Sequence, residues 1–226
     1  MAAKSRAGEP AGRRPDRLAA ALAAGFVILL LATELVLSLP DESASASSVA
    51  QFYAKHRVFI IALQVLGFVA AALLAGYAWR LRAVDRVVGA AGLLVAACAL
   101  APGLITLVLA VVADPANPGP AGRWNALEPR GDDILFVGIV VFAVAVAIRI
   151  GRDLPVLGVL AAVVALACLA RLILEAMGSR RGVLASVAPL GFVVLVGVMA
   201  VLSFRGIFEQ RPRRMASSPA GRSRDT

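Results

Sequence analysis

The chain has 226 residues, 60% of them apolar and only 16% charged, with a mean hydropathy of +0.86. A soluble domain is typically about 45–50% apolar and about 25% charged, and a globule of this length has too little interior to hide so much hydrocarbon. A soluble enzyme, a disordered chain and a disulfide-stapled secreted domain are excluded, and a polytopic membrane protein is expected. The net charge of +9 comes from 23 Lys and Arg against 14 Asp and Glu. These basic residues flank apolar runs, so anionic lipid headgroups, not nucleic acid, are the expected counter-charge.

A helix needs about 20 apolar residues to cross a bilayer core of about 30 Å, and six runs meet that length or approach it. The first is Leu18 to Leu39, with Glu34 inside it and Pro40 at its end. A cleavable signal is the competing reading of residues 1–46, which end in Ala44-Ser-Ala46. This run is longer than the ~7–15 residues of a signal core, however, and it contains a carboxylate. Arg13-Arg14 is followed by Pro15-Asp16, where a twin-arginine signal needs an apolar residue. Between Ser48 and Arg57, Val49, Phe52 and Tyr53 suggest a short amphipathic segment lying on the membrane surface. His56 reads there as a solvated interfacial residue.

The second run is Val58 to Trp79, closed by Arg80-Leu-Arg82. The third, Val87 to Ala113, carries Pro102-Gly103 inside it and ends in the proline-rich stretch Asp114 to Pro120. A loop holding Trp124 follows, and the fourth run, Ile134 to Ile150, has Asp132 and Asp133 as expected N-caps. The fifth begins at Pro155 and reaches about Met177; the sixth, Val183 to Phe204, is interrupted by Pro189 and Gly191. Lipid offers no partner to a free backbone group, so the runs must be helices or closed-barrel strands. Their length and lack of alternation exclude strands. The fold expected is all-α: a six-helix transmembrane bundle over residues 18–205. Residues 1–17 and 206–226, rich in Arg, Ser, Pro and Gly, read as disordered basic tails.

Lys and Arg are distributed unequally between the two sides. Sixteen fall in residues 1–17, 80–86, 149–154 and 205–226; six fall in residues 40–57, 114–133 and 176–182. The positive-inside rule then puts both termini in the cytoplasm of a cell membrane, with Tyr77 and Trp79 as an inner-interface anchor and Trp124 as an outer one.

An ionisable group in hydrocarbon costs about 2.5–3.5 kcal/mol on insertion scales, so each needs a reason. Glu34 and Gln64 lie about 8–9 Å below the outer boundary, and Arg171 and Glu175 stand one turn apart near the outer end of the fifth helix. Together these four form a candidate polar site in the outer half. One reading is a vestibule in which Glu34 and Arg171 pair or jointly contact a ligand, with acidic groups added by the outer loop through Glu128 and Asp132-Asp133, although capping explains the two aspartates at less cost. The other pairs Arg171 with Glu175 on its own face and lets Gln64 bond across a helix contact beside Gly67, Ala71 and Ala78. Pro102 and Pro189 break the third helix of each half, which is a transporter pointer or simply a pair of kinks.

A lone histidine excludes bis-histidine haem, and neither a zinc-protease motif nor a nucleotide cradle occurs. Cys98 and Cys168 read as small buried hydrophobes. No enzyme chemistry, metal or cofactor is expected. Phe52-Tyr53 through His56-Arg57, Arg80-Leu-Arg82, and Asp132-Asp133-Ile-Leu-Phe136 resemble features of small six-helix integral membrane proteins of unknown function from high-GC bacteria. That resemblance implies the topology and no established activity. The expected function is a non-catalytic membrane partner or scaffold, contacting another membrane protein or a second copy of the chain. The alternative is a small-solute or ion transporter or binding protein using the outer vestibule.

Overall fold

A computed structural model describes residues 16–36, 39–40, 44–177 and 184–208, the side chains at 34–35 and 184–186 excepted. The described residues are helical and contain no strand. Eight helices make six long segments: α1 Arg17–Val36, α2 Ala46–Leu81, α3 Arg86–Cys98 with α4 Leu100–Val112, α5 Gly119–Asn125 with α6 Glu128–Arg149, α7 Pro155–Ala176 and α8 Leu184–Phe204. Five of the six are long and apolar enough to cross a membrane, and Arg17–Thr33 of α1 adds a shorter apolar stretch. The protein is an all-α helical bundle. Of the expected tails, 1–15 and 209–226 lie outside the described residues.

Several helix limits differ from the sequence reading, each for a local reason. No Gly or Pro separates Ser48 from Val58, and Ser45 accepts the Ser48 N–H at 3.2 Å as N-cap. The expected surface segment is therefore the start of α2 itself. At about 1.5 Å per residue α2 is about 54 Å long and projects well beyond a bilayer core. The break between α3 and α4 sits at Ala99, because the Pro102 nitrogen cannot donate to the Cys98 carbonyl and its ring crowds that turn. Pro129 breaks α5 from α6 in the same way, four residues after Asn125, although Ala126 and Leu127 keep right-handed helical dihedrals. The expected loop around Trp124 is thus a helix. Since α6 starts at Glu128, Asp132 and Asp133 lie in its second turn and are not its N-caps.

The segments form a ring in chain order: α1 packs on α2, α2 on α3 and α4, these on α6, α6 on α7, α7 on α8, and α8 closes on α1. Phe26, Phe142 and Phe192 meet edge-on at its centre, with ring centroids 5.9 and 6.1 Å apart. Only 22% of the apolar window of α2 and 33% of that of α7 is buried. Ile28, Val156 and Leu166 point outward, as lipid-facing residues do.

One end, the terminal face, holds Asp16 and Phe208, the first and last described residues. There Asp16 accepts the Ala19 N–H at 3.0 Å and pairs with Arg80 at 2.9 Å, while Phe208 returns into the core. Tyr77 is fully buried, 3.4 Å from the Ser203 hydroxyl, so it is core and not the expected interface anchor; Trp79 is 63% exposed, under the Arg82 guanidinium. At the opposite, distal face a second core joins Val49, Ala50 and Tyr53 of α2 to Leu109 and Ala110 of α4 and Ala121 of α5, with Trp124 packed against it. Arg57 donates to the Ala110 and Ala113 carbonyls at 2.9 and 2.6 Å, satisfying acceptors left open at the end of α4.

Candidate functional site

A cavity of about 300 Å³ opens in the distal half between α1, α2, α4 and α6. Its floor is apolar, with Phe26, Ala70 and Ala71, and its polar wall carries Thr33, Gln64, Thr106, Glu128 and Asp132. Small residues make the space. A side chain at Gly67 would meet nothing within 4 Å, so this glycine faces the cavity and not a neighbouring helix. The interrupted turn at Ala99 to Gly103 also lines it, placing backbone freed by Pro102 beside the space.

The α6 segment supplies the carboxylates by helical spacing. Asn125, Glu128 and Asp132 stand at i, i+3 and i+7 along the nearly continuous α5–α6 helix, hence on one face. Thr106 donates to Glu128 at 3.5 Å across the α4–α6 contact. Close packing fixes this contact, since Gly131 admits Pro102 and Ile105 of α4 against its backbone and Gly138 admits Cys98 of α3.

Behind Asp132 lies Arg171 of α7, only 3% exposed. Its Nη2 is 3.7 Å from Asp132 and 3.5 Å from Glu175, and its guanidinium carbon stands 3.6 Å over the Phe136 ring. Both separations exceed the ~2.7–2.9 Å of a charge-assisted hydrogen bond, so the pairing is electrostatic. Nε and Nη1 have no hydrogen-bond partner among the described residues. A cation so buried depends on its carboxylates to offset the loss of water.

The four residues singled out from the sequence fall as follows. Gln64 lines the cavity, its Oε1 near the Gly103 backbone. Arg171 and Glu175 pair on their own helix face, one layer behind the wall. Glu34 lies in α1 next to the cavity residue Thr33, whose hydroxyl bonds the Leu30 carbonyl at 2.9 Å; the Glu34 side chain is outside the described residues, so a Glu34–Arg171 pair is too. Glu128 and Asp132, which the sequence offers as acidic additions to the vestibule while favouring helix capping for the aspartates, both line the cavity. Their i, i+4 spacing, with Asn125 one turn earlier, was the available signal.

At the terminal face, Asp85 caps α3 by accepting the Val87 and Val88 N–H groups at 2.9 and 3.2 Å, and it accepts Arg149 Nε at 3.0 Å. Burial pushes its carboxyl up, but the hydrogen bonds from Val88, Arg149 and Val87 outweigh that and hold it below its ordinary value. Among the described residues no group of three or more His, Cys, Asp or Glu could hold a metal ion.

The arrangement can hold a small solute by its charge and hydrogen bonds. No family model, curated protein or solved structure matches the chain. The site speaks through its geometry alone.

Proposed function

We propose that this multi-pass protein resides in the cell membrane with both termini in the cytoplasm and binds a small polar solute in the distal cavity, from the outer side. The observation that carries this reading is the cavity itself: about 300 Å³, walled by Gln64, Thr106, Glu128 and Asp132 inside an otherwise apolar bundle. Polar groups in hydrocarbon are costly and collect where a ligand or water meets them. A broken helix in the wall is a further feature of solute sites. The orientation rests on the excess of Lys and Arg in the sequence of the two tails and the 80–86 and 149–154 connections. Trp79 and Arg82, stacked 4.7 Å apart there, suit an interface rich in anionic lipid.

The scaffold reading, in which Gly/Ala stripes contact another membrane protein or a second copy, has less of the structure behind it. Gly67, the glycine expected at such a contact, lines the cavity. No catalysis is assigned. Thermal unfolding in mild detergent against a panel of small polar solutes tests the proposal, with Gly67→Phe as a cavity-filling control. A solute that raises Tm in the parent protein and not in Gly67→Phe is expected. If every stabilising solute acts equally on both, the cavity is not the site.

A further inference from the structure

The cavity is graded along the bundle axis. In α1 the lining residue Thr33 stands seven residues, two turns, distal to Phe26; α2 repeats the step with Gln64 and Ala71, and the α4 segment with Thr106 and Ala99. In α6 the same step separates Glu128 from Leu135. On each helix the polar member is the one nearer the distal face, so the wall passes from hydrogen-bonding groups to hydrocarbon over about 10 Å. Leu39 and Ile60 lie farther out still, at the rim.

The deep end belongs to the core. Phe26 packs edge-on against Phe192, and Ala70 and Ala71 are 2% and 5% exposed. A hydroxyl or amide placed against these side chains gives up its partners in water; an alkyl chain gives up none. The polar end does not call for charge. Glu128 and Asp132 are already engaged, by Thr106 at 3.5 Å and Arg171 at 3.7 Å. The Gln64 amide, by contrast, has no hydrogen-bond partner among the described residues. An amide both donates and accepts, which suits a neutral head that does the same, and two carboxylates in the wall disfavour an anionic one. At about 300 Å³ the cavity is at the small end of ligand pockets.

We infer that the cavity takes a neutral single-chain amphiphile, its hydroxyl-bearing head on Gln64 beside Thr106 and its short alkyl chain running inward to Phe26 and Ala71. This rests on the reading of the cavity as a solute site and names the class of solute. Chain length sets the affinity, because each methylene that enters the deep end leaves water. The phenylalanines at the bundle centre close that end and limit the length.

The test uses the full chain in phosphatidylcholine nanodiscs, free of detergent, whose own chains would compete. Ethanol, butanol, hexanol, octanol and decanol are titrated while Tm is followed, and the response of Gly67→Phe is subtracted as that of the lipid. Glycerol is the fully polar comparator. The apparent Kd should fall about threefold per added methylene up to hexanol or octanol, and no further at decanol. Ala71→Leu, which shortens the deep end, should move this cut-off to a shorter alcohol, and Leu135→Ala to a longer one. Gln64→Leu should weaken the whole series at least threefold without moving the cut-off; unchanged affinity there refutes the placement of the head. Should Gly67→Phe fail to fold, the shifts of the cut-off decide. Affinity that climbs through decanol, or a cut-off that stays in place in both Ala71→Leu and Leu135→Ala, overturns the inference. Glycerol binding as tightly as hexanol overturns it too, while leaving a polar-solute site standing. So does the absence of any alcohol response, and the panel of polar solutes then shows whether the cavity reading falls with it.

Discussion

Two glycines in the distal half should respond oppositely to the same substitution. A methyl group at Gly131 would stand 2.8 Å from Ile105 Cδ1, 2.9 Å from Pro102 Cα and 3.1 Å from Pro102 N. The Ile105 methyl can turn aside, but the Pro102 backbone cannot move without shifting α4 against α6. Overpacking of this kind typically costs about 1–3 kcal/mol, and replacing Gly by Ala inside a helix returns about 0.5–1 kcal/mol. Gly131→Ala should therefore destabilise by about 0.5–2 kcal/mol. At Gly67 the methyl meets nothing within 4 Å, so Gly67→Ala keeps the helix gain and should stabilise by up to about 1 kcal/mol. Both variants are read by thermal unfolding in one detergent, with fluorescence of the two tryptophans as signal. The expected Tm order is Gly67→Ala at or above the parent protein, and the parent above Gly131→Ala. An unchanged Gly131→Ala would mean that α4 and α6 are not in backbone contact there. A destabilised Gly67→Ala would mean that Gly67 is packed on a neighbour and that the cavity is misplaced.

Other outcomes follow from single contacts. Asn caps helices about as well as Asp, so Asp85→Asn keeps the cap but loses the charge held by Arg149. Because the Asp85 carboxyl titrates below its ordinary value in the fold, its contribution is full above the unfolded value of about 3.9 and fades as pH falls through the folded one. The stability gap between parent and Asp85→Asn should narrow with acidification below about pH 5 and continue to narrow below about pH 3.9; a gap independent of pH contradicts the depressed carboxyl. Arg57→Leu removes the charged donor to the Ala110 and Ala113 carbonyls, a loss toward the lower end of about 1.5–3 kcal/mol because the side chain is partly solvated. Proteolysis between α4 and α5 should accelerate in this variant, and an unchanged cleavage rate would deny Arg57 its capping role. Cys168 is fully buried, so maleimide should modify it only after denaturation; rapid labelling of the folded protein would contradict its place in the core.

The bundle was legible because lipid simplifies the problem: an apolar run of about 20 residues has essentially one structure available to it. Val58 to Trp79 falls wholly inside α2, and most of Leu18 to Leu39 and of Ile134 to Ile150 is covered by α1 and α6. Pro102 was legible as a break because a missing N–H acts locally. The distal extensions were not. Ser48 to Arg57 is only mildly apolar, and what extends it as helix is burial of Val49 and Tyr53 against α4 and α5, a contact between residues about 60 apart in sequence. Tyr77 was misjudged for a related reason: its position beside Trp79 and Arg80 suits an interface, yet the Ser203 hydroxyl across the ring accommodates its polar end within the core. For the site, Gln64 and Arg171 stood out because each is an isolated polar group in an apolar run. Glu128 and Asp132 were legible only as acidic groups of an apparent loop and cap near the vestibule, and their place on a cavity wall appears once α6 is seen to begin at Glu128.

The central claim is that a water-filled polar cavity opens on the distal face of a bundle otherwise surrounded by lipid. Single cysteines placed by Gly67→Cys, Thr106→Cys and Val163→Cys, each with Cys98→Ala and Cys168→Ser, put it to the most direct test. Sealed vesicles of both orientations would be treated with a charged, membrane-impermeant thiol reagent. Gly67→Cys and Thr106→Cys should react when the distal face is exposed to reagent and stay unreactive from the terminal face, with Val163→Cys, on the lipid-facing side of α7, unreactive from both. Labelling of the first two from the terminal face, or of Val163→Cys as fast as Gly67→Cys, would contradict the account.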